Sequence, residues 1–419
     1  MKTFSIKTTA IFLAILLSAT LLQAQDITGQ WNGVLSVQGA SLRLVFHISK
    51  TGEAYTSKMD SPDQGAIGIP VPTTIFDGSK LVLSIPAAGI TYEGEFKTDS
   101  IVGTFKQGGL SLPMTLKKSS ENAILKNETL GKEIILKTST GNISGSLLTP
   151  ENDSKDIVVL FISGSGATDR DGNQRPQLVN NSILFLAEEL NSAGISSVRF
   201  DKRGVGKSAA SLGREEDLLF THYVDDVRAW IDLLSKDYKR VVVVGHSEGA
   251  LVALLAAAEN PNVAGVVSIA GSGRNFGELL KTQLAPEVLS AAEPFIENLR
   301  RGVTIADVPP MLMYLFRPSI QPYWISMIAI EPVVEIAKLT VPVLIINGST
   351  DIQILPEDAA LLQKAQPKAT MRIIPNMNHV FKEISTTDLT YQMPTYTNPN
   401  LKNIPILSPE IIEFIRSIK

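Results

Sequence analysis

The 419-residue chain contains no cysteine. That absence excludes disulfides, thiolate nucleophiles, cysteine-ligated metals and a lipid-anchoring cysteine. Histidine is nearly as scarce, at four in the whole chain, so any proton-transfer role falls to a very short list. There is no basic excess: the formal net charge is -4, and nothing in it points to nucleic acid or an anionic membrane surface. Beyond the first two dozen residues no apolar run is long enough for a membrane-spanning helix. What remains is a composition of 44% hydrophobic and 19% charged residues, which describes a globular protein of two to three domains.

The beginning of the chain reads as a targeting segment. Lys2 and Lys7 precede a mostly apolar run from Ala10 to Leu22, too short to span a bilayer comfortably, and Leu22-Gln23-Ala24 offers a small residue to signal peptidase. Residues 1–24 are therefore expected to be a secretory signal, with an uncleaved membrane anchor as the competing reading. The expected product is an exported bacterial protein, periplasmic or extracellular. Removing Lys2 and Lys7 takes its formal charge from -4 to -6.

Residues 25–120 show strand-length stretches without helical period, among them Leu42–Ile48, Lys80–Ile85 and Leu110–Leu116. Turn clusters such as Asp77-Gly78 and Gly108-Gly109 separate them, which predicts a small all-β domain, lipocalin-like or a barrel. Gly29-Gln30-Trp31-Asn32-Gly33 resembles the opening of lipocalin-like modules, with Trp31 expected as a core plug. The polar stretch Ser119–Glu128 reads as a linker.

From residue 121 to 419 strands and helices alternate, the α/β signature. Strands are predicted at Glu133–Thr138, Asn142–Thr149, Asp156–Ser163, Ser196–Phe200, Arg240–Val244, Val263–Ala270, Val341–Asn347 and Thr370–Ile374. Helices are predicted at Ile183–Ser192, Tyr223–Leu234, Gly249–Asn260 and Glu357–Ala365. A closing helix should be capped by Ser408, with Pro409 in its first turn. An insertion at about 273–340, with prolines and the aromatics Phe295, Tyr314, Phe316, Tyr323 and Trp324, reads as a helical lid.

One stretch organises this region. Val241–Val244 reads as a strand buried on both faces, and the Ala- and Leu-rich residues after Gly249 read as a packed helix. Between them Gly245-His246-Ser247-Glu248-Gly249 matches G-x-S-x-G, which places Ser247 on a sharp strand-to-helix turn above a sheet. A serine there needs a base. His47 falls in the β domain, His246 shares the turn and should point away, and His222 fits a helix cap. His379, just past the last strand, remains. The orienting acid should be Asp351, on the loop after Val341–Asn347; a helix cap is the other reading of Asp351, and Glu357 or Asp358 compete with it. Ser247, Asp351 and His379 follow the chain order Ser…Asp…His. Two backbone N–H groups are needed for an oxyanion. Glu248 supplies one, and Ser165 is chosen for the other, with Gly164 or Gly166 as alternatives.

Several pieces together carry a resemblance: Ile162-Ser163-Gly164-Ser165-Gly166-Ala167-Thr168-Asp169-Arg170-Asp171-Gly172, Phe200-Asp201-Lys202-Arg203-Gly204-Val205-Gly206-Lys207-Ser208, the GHSEG turn, Asn347–Asp351 and Asn376–His379. Residues 133–419 resemble an α/β-hydrolase of the serine-esterase and serine-aminopeptidase-like branch, and secreted bacterial esterases with an added β module are similar in layout. Many such relatives carry His-Gly before the oxyanion residue, where this chain has Ser163-Gly164. The resemblance implies an α/β-hydrolase fold with a mostly parallel central sheet and helical lid, acting on a small-molecule ester without cofactor or metal. A peptidase or amidase on the same residues, and a silent binding scaffold, are the alternatives. Tyr323 and Trp324 are candidates for the substrate-binding wall, or for packing within the lid. Two further motifs are set aside. Gly204–Ser208 ends like a phosphate-binding loop but has Asp201 where a glycine is required, and Asp169–Asn173 hints at calcium but lacks the distal glutamate, Asn180 standing in its place.

Overall fold

The computed structural model describes residues 26–37, 40–52, 54–61, 66–118, 130–175 and 178–418. The expected signal segment 1–24 and the linker Ser119–Glu128 lie outside the described residues. The chain divides into two units, Met1–Glu128 and Thr129–Lys419.

The first unit is an antiparallel sheet of nine strands among the described residues: β1 (Gly29–Val37), β2 (Ala40–Thr51), β3 (Ala54–Ser61), β4 (Ala66–Val71), β5 (Thr73–Phe76), β6 (Lys80–Ile85), β7 (Ile90–Lys97), β8 (Ser100–Gln107) and β9 (Leu110–Lys118). Their order is β4-β3-β2-β1-β9-β8-β7-β6-β5. The two end strands, β4 and β5, are separated in sequence by Pro72 alone, and Ser57 on β3 meets Thr74 on β5 at 2.6 Å between hydroxyls. The sheet thus curls into a nearly closed barrel, which removes the exposed edges an open sheet would leave. Gly108 and Gly109 join β8 to β9 with φ of 57° and 84°, the pair of positive values that a two-residue hairpin of this twist demands. Trp31 is fully buried and its Nε1–H donates to the Ile27 carbonyl at 2.8 Å, so it plugs the interior.

The second unit is built on eight strands: β10 (Lys132–Thr138), β11 (Gly141–Leu148), β12 (Ile157–Ile162), β13 (Ser196–Phe200), β14 (Arg240–His246), β15 (Val263–Ile269), β16 (Val343–Gly348) and β17 (Thr370–Ile374). They lie in the order β10-β11-β13-β12-β14-β15-β16-β17. β10, β11 and β13 pair antiparallel; from β13 onward every pairing is parallel. The four valines of β14 explain its central place. Val241 and Val243 face one core, Val242 and Val244 the other, as the two-residue side-chain period requires.

Helices α1 (Ser182–Ser192), α2 (Phe220–Leu234) and α3 (Glu248–Ala257) come first among those described. The lid follows as α4 (Phe276–Gln283), α5 (Pro286–Arg300), α6 (Met313–Phe316), α7 (Gln321–Ile328) and α8 (Pro332–Ala337), then α9 (Pro356–Ala365), α10 (Leu389–Tyr396) and α11 (Leu407–Ser417). On α2 the buried residues Phe220, Val224, Val227, Trp230, Ile231 and Leu234 recur at helical spacing and cover one face of the sheet with α3 and α9. α1 and α11 cover the other face. The lid has a core of its own, in which Phe295 stacks on Phe316 with ring centroids 5.4 Å apart. Gln321 is fully buried there, donating to the Ile305 and Phe316 carbonyls and accepting from the Ile305 N–H.

Two elements depart from the sequence reading. The closing helix starts at Leu407 with Ile406 as its cap, so Ser408 lies inside the first turn rather than capping it. Helix α10, with Pro394 inside it, carries a weak apolar pattern and was not anticipated. The chain's switch point lies between β12 and β14: β13 falls on one side of β12 and β14 on the other. The crevice at the carboxyl ends of these two strands is where open α/β sheets place their ligands.

Candidate active site

Ser247 sits at that crevice, between β14 and α3, with φ 55° and ψ -119°. A non-glycine residue there is strained, and the surroundings hold it. The Ser247 N–H donates to the Ile269 carbonyl and its own carbonyl accepts from Ala250, both at 2.9 Å. The flanking glycines are obligatory for a different reason. A Cβ on Gly245 would stand 2.2 Å from the Gly249 carbonyl oxygen, and one on Gly249 would stand 2.3 Å from that of Ile162. The motif is therefore a packing requirement as well as a turn.

The loops after β16 and β17 are knitted together. Ser349 N–H donates to Ile374 and Thr350 N–H to Met377, and a Cβ on Gly348 would collide with the Met377 carbonyl. This brings Asp351 and His379, both buried, to 2.9 Å between Oδ2 and Nδ1. The other carboxylate oxygen of Asp351 accepts the N–H groups of Gln353 and Ile354 at 2.8 and 3.0 Å. Capping and orienting are thus not alternatives here, because each oxygen does one. Of the competing acids, Asp358 is bound by Arg274 through Nε and Nη2, and Glu357 is exposed. With its proton on Nδ1 facing the carboxylate, His379 keeps Nε2 as an acceptor.

His246 was expected to point away, and it does not. Its ring lies 4.7 Å from those of both His379 and Phe381, and its Nε2–H donates to the His379 carbonyl at 2.9 Å. Burial first, and then the proximity of His379, hold it well below the usual histidine value, so it serves as a neutral brace between elbow and base loop. Gln392 on α10 is a second brace. Its amide donates to the Thr350 and Thr386 carbonyls and accepts from Asn378, which joins the loops of Asp351 and His379. Neither role has a local sequence signal, since the partners are 42 and 133 residues distant. His222 does cap, accepting the Leu219 N–H on Nδ1 at 3.2 Å.

Against the elbow lies the loop Ser163–Gly166. A Cβ on Gly164 would stand 3.3 Å from that of Ser247. Ser165 is exposed, and its carbonyl is fixed by Thr168 Oγ1 at 2.7 Å and Gln174 Nε2 at 2.8 Å. Its N–H has no partner among the described residues. The Glu248 N–H opens α3, among the donors that a helix cannot satisfy itself. Both are therefore open to an incoming oxygen.

Tyr323 and Trp324 are engaged inside the protein. Trp324 stacks on Phe276 at 4.3 Å and its Nε1–H donates to the Leu315 carbonyl at 2.7 Å. The Tyr323 ring is buried and meets Phe220, Tyr223 and Trp324 edge-on. Both rings serve packing in this arrangement. The two set-aside motifs are structural as well. Asp201 accepts from Arg170 and from the Lys207 N–H, while Asp169 accepts from the N–H groups of Asp171 and Asn173 and from Arg175. Among the described residues no group of three or more His, Asp or Glu side chains is placed to hold a metal ion.

The family model described as serine aminopeptidase, S33, matches residues 181–309, across the elbow and into the lid. The second unit has the α/β-hydrolase fold, a mostly parallel sheet with helices on both faces. Over 248 residues the chain is 26% identical to Esterase EstD of Thermotoga maritima, a match covering 57% of this chain and 58% of that protein. Among solved structures it is similar to Est1E from Butyrivibrio proteoclasticus, determined with ferulic acid bound, at 19% identity and a TM-score of 0.46, covering 68% of this chain and all of that one. It is also similar to the Pyrococcus furiosus esterase Pf2001, at 18% identity and a TM-score of 0.44, covering 68% and 90%. No helix among the described residues is long and apolar enough to cross a membrane.

Proposed function

We propose that this α/β-hydrolase cleaves carboxylic esters by nucleophilic catalysis at Ser247. The observation that carries the proposal is the buried Asp351–His379 pair, 2.9 Å apart and braced by His246 against the strained serine. His379 Nε2 takes the hydroxyl proton as Ser247 Oγ bonds to the acyl carbon. The N–H groups of Glu248 and Ser165 receive the oxyanion. The intermediate collapses with loss of the alcohol, to which His379 returns the proton, and water, activated by the same histidine, releases the acid and frees Ser247. Asp351 stays ionised throughout and holds the imidazolium.

The similarity to a protein named as an esterase favours an ester, and the match to a family described as aminopeptidase keeps amides as the second reading. An amide would need its poorer leaving group protonated by His379 within the same cycle. The apolar run at residues 10–22 supports export to the periplasm or beyond. The test is a panel of p-nitrophenyl esters of rising acyl length run beside aminoacyl anilides. Turnover of esters with anilides idle supports the proposal; the reverse pattern replaces it with the peptidase. Failure on both, with no labelling by a fluorophosphonate, would leave a binding scaffold.

A further inference from the structure

Behind the two oxyanion donors lies a charged cluster that the mechanism does not use. Lys202, in the loop just past β13, is 4% exposed, and its Nζ donates to the Gly164 carbonyl at 2.8 Å and to Glu248 Oε1 at 3.0 Å. It also sits over the Tyr223 ring, 4.5 Å from the centroid. Glu248 is buried in turn, and Tyr223 packs edge-on against the Tyr323 ring of lid helix α7, with centroids 5.9 Å apart, which sets Tyr323 beside the cluster. The cavity between Ser163, Lys202, Tyr223 and Glu248 has a volume of about 10 Å3, at the limit for a single water. Lys202 is thus held by Gly164, Glu248 and the Tyr223 ring in close packing. Burial works against the Lys202 charge, but Glu248 and then Tyr223 outweigh it, so the ammonium is held above the ordinary lysine value. Burial, then the Glu248 carboxylate, pushes the Tyr323 hydroxyl well above the usual tyrosine value, so it remains a donor.

The connectivity has a direct consequence. One ammonium holds the peptide that leads to Ser165 N–H and, at the same time, the side chain of the residue whose own N–H is the other donor. We propose that Lys202 and Glu248 are positioning residues that set the spacing of the two oxyanion donors, and that Tyr323 ties this spacing to the seated lid. The inference rests on the oxyanion roles assigned above to Ser165 and Glu248. It gives Tyr323 a role other than lining an acyl pocket, and it gives a buried ion pair a function, where stability alone is commonly served as well by apolar residues of similar volume.

The test separates positioning from support. Lys202→Met leaves a buried carboxylate without its partner and is expected to unfold readily. Lys202→Met/Glu248→Gln removes both charges and should fold, as should Tyr323→Phe. For each, active sites are counted by fluorophosphonate titration, and kcat, KM and the Ki of a boronic-acid transition-state analogue are measured on one ester. Loss of a whole oxyanion donor costs about 100- to 1,000-fold in kcat. A loosened one should cost about 10- to 100-fold per titrated site in the double variant and about 3- to 10-fold in Tyr323→Phe. KM should change little, and Ki should rise in proportion to the fall in kcat/KM. A double variant with wild-type kcat per titrated site and unchanged Ki would overturn the inference and leave the pair a structural one. If the wild-type protein turns over no ester and Ser247 takes no label, the esterase reading itself has failed, and this inference falls with it.

Discussion

The strain at Ser247 can be measured by removing it. With φ 55° and ψ -119°, the residue occupies a region that costs a side chain-bearing residue about 1–3 kcal/mol. Ser247→Ala removes the hydroxyl and keeps the Cβ, so it keeps the strain. Ser247→Gly removes both, at a cost of about 0.5–1 kcal/mol for the freer unfolded chain. The bonds that hold Ser247, to the Ile269 carbonyl and from the Ala250 N–H, are made by its backbone, so both variants keep them. The difference between the two should therefore favour glycine by about 0.5–2 kcal/mol, which is about 1–6 °C in Tm for a unit of this size. Scanning calorimetry of the two inactive proteins side by side reads that difference. A glycine variant melting at or below the alanine variant would refute the claim that the fold holds this serine under strain.

Other residues give sharper or cheaper tests. Gln392→Ala cuts the tie between the Asp351 and His379 loops and should lower kcat about 10- to 100-fold with little change in KM, read from steady-state kinetics on one ester. Trp324→Ala removes a ring stacked on Phe276 inside the lid and should scale the whole acyl-length profile down together; a shift of the optimum toward longer esters would show that it lines the pocket. Burial, with a smaller opposing effect from Glu189, brings Lys382 from 10.5 down to about 7. Between those values the unfolded chain binds a proton that the folded one does not, so this residue makes stability rise with pH over the window and contributes no further change above it. Lys382→Met should flatten that part of the Tm profile between pH 7 and 10; an unchanged profile would show that the lysine stays charged when folded.

Much of this architecture is legible in the chain because its signals are local. The alternation of strand and helix is written in apolar runs, and the four valines of β14 divide between two cores because side chains alternate along a strand. Candidate residues could be narrowed by scarcity: with four histidines, elimination singles out His379, which the fold brings to Asp351. What stayed hidden depends on distance in sequence. Lys202 and Glu248 are 46 residues apart, and nothing local in Asp201-Lys202-Arg203-Gly204 shows that the lysine is buried against the elbow. His246 looked turned away because the strand's alternation says nothing of the loop after β17 folding back onto it. The start of the last helix differs because Ser-Pro-Glu imitates a cap, whereas the apolar Leu407 and Ile411 are buried and carry the helix two residues further back, with Ile406 as its cap.

The central claim is that Ser247 carries the acyl group. Intact-protein mass spectrometry after acid quench, during turnover of a p-nitrophenyl ester, tests it directly, with peptide mapping to locate any adduct. The account predicts one acyl mass per titrated site on the peptide containing Ser247, formed with a burst of p-nitrophenol and absent in Ser247→Ala. Steady ester turnover by Ser247→Ala protein, or an acyl adduct on any other residue, would contradict it.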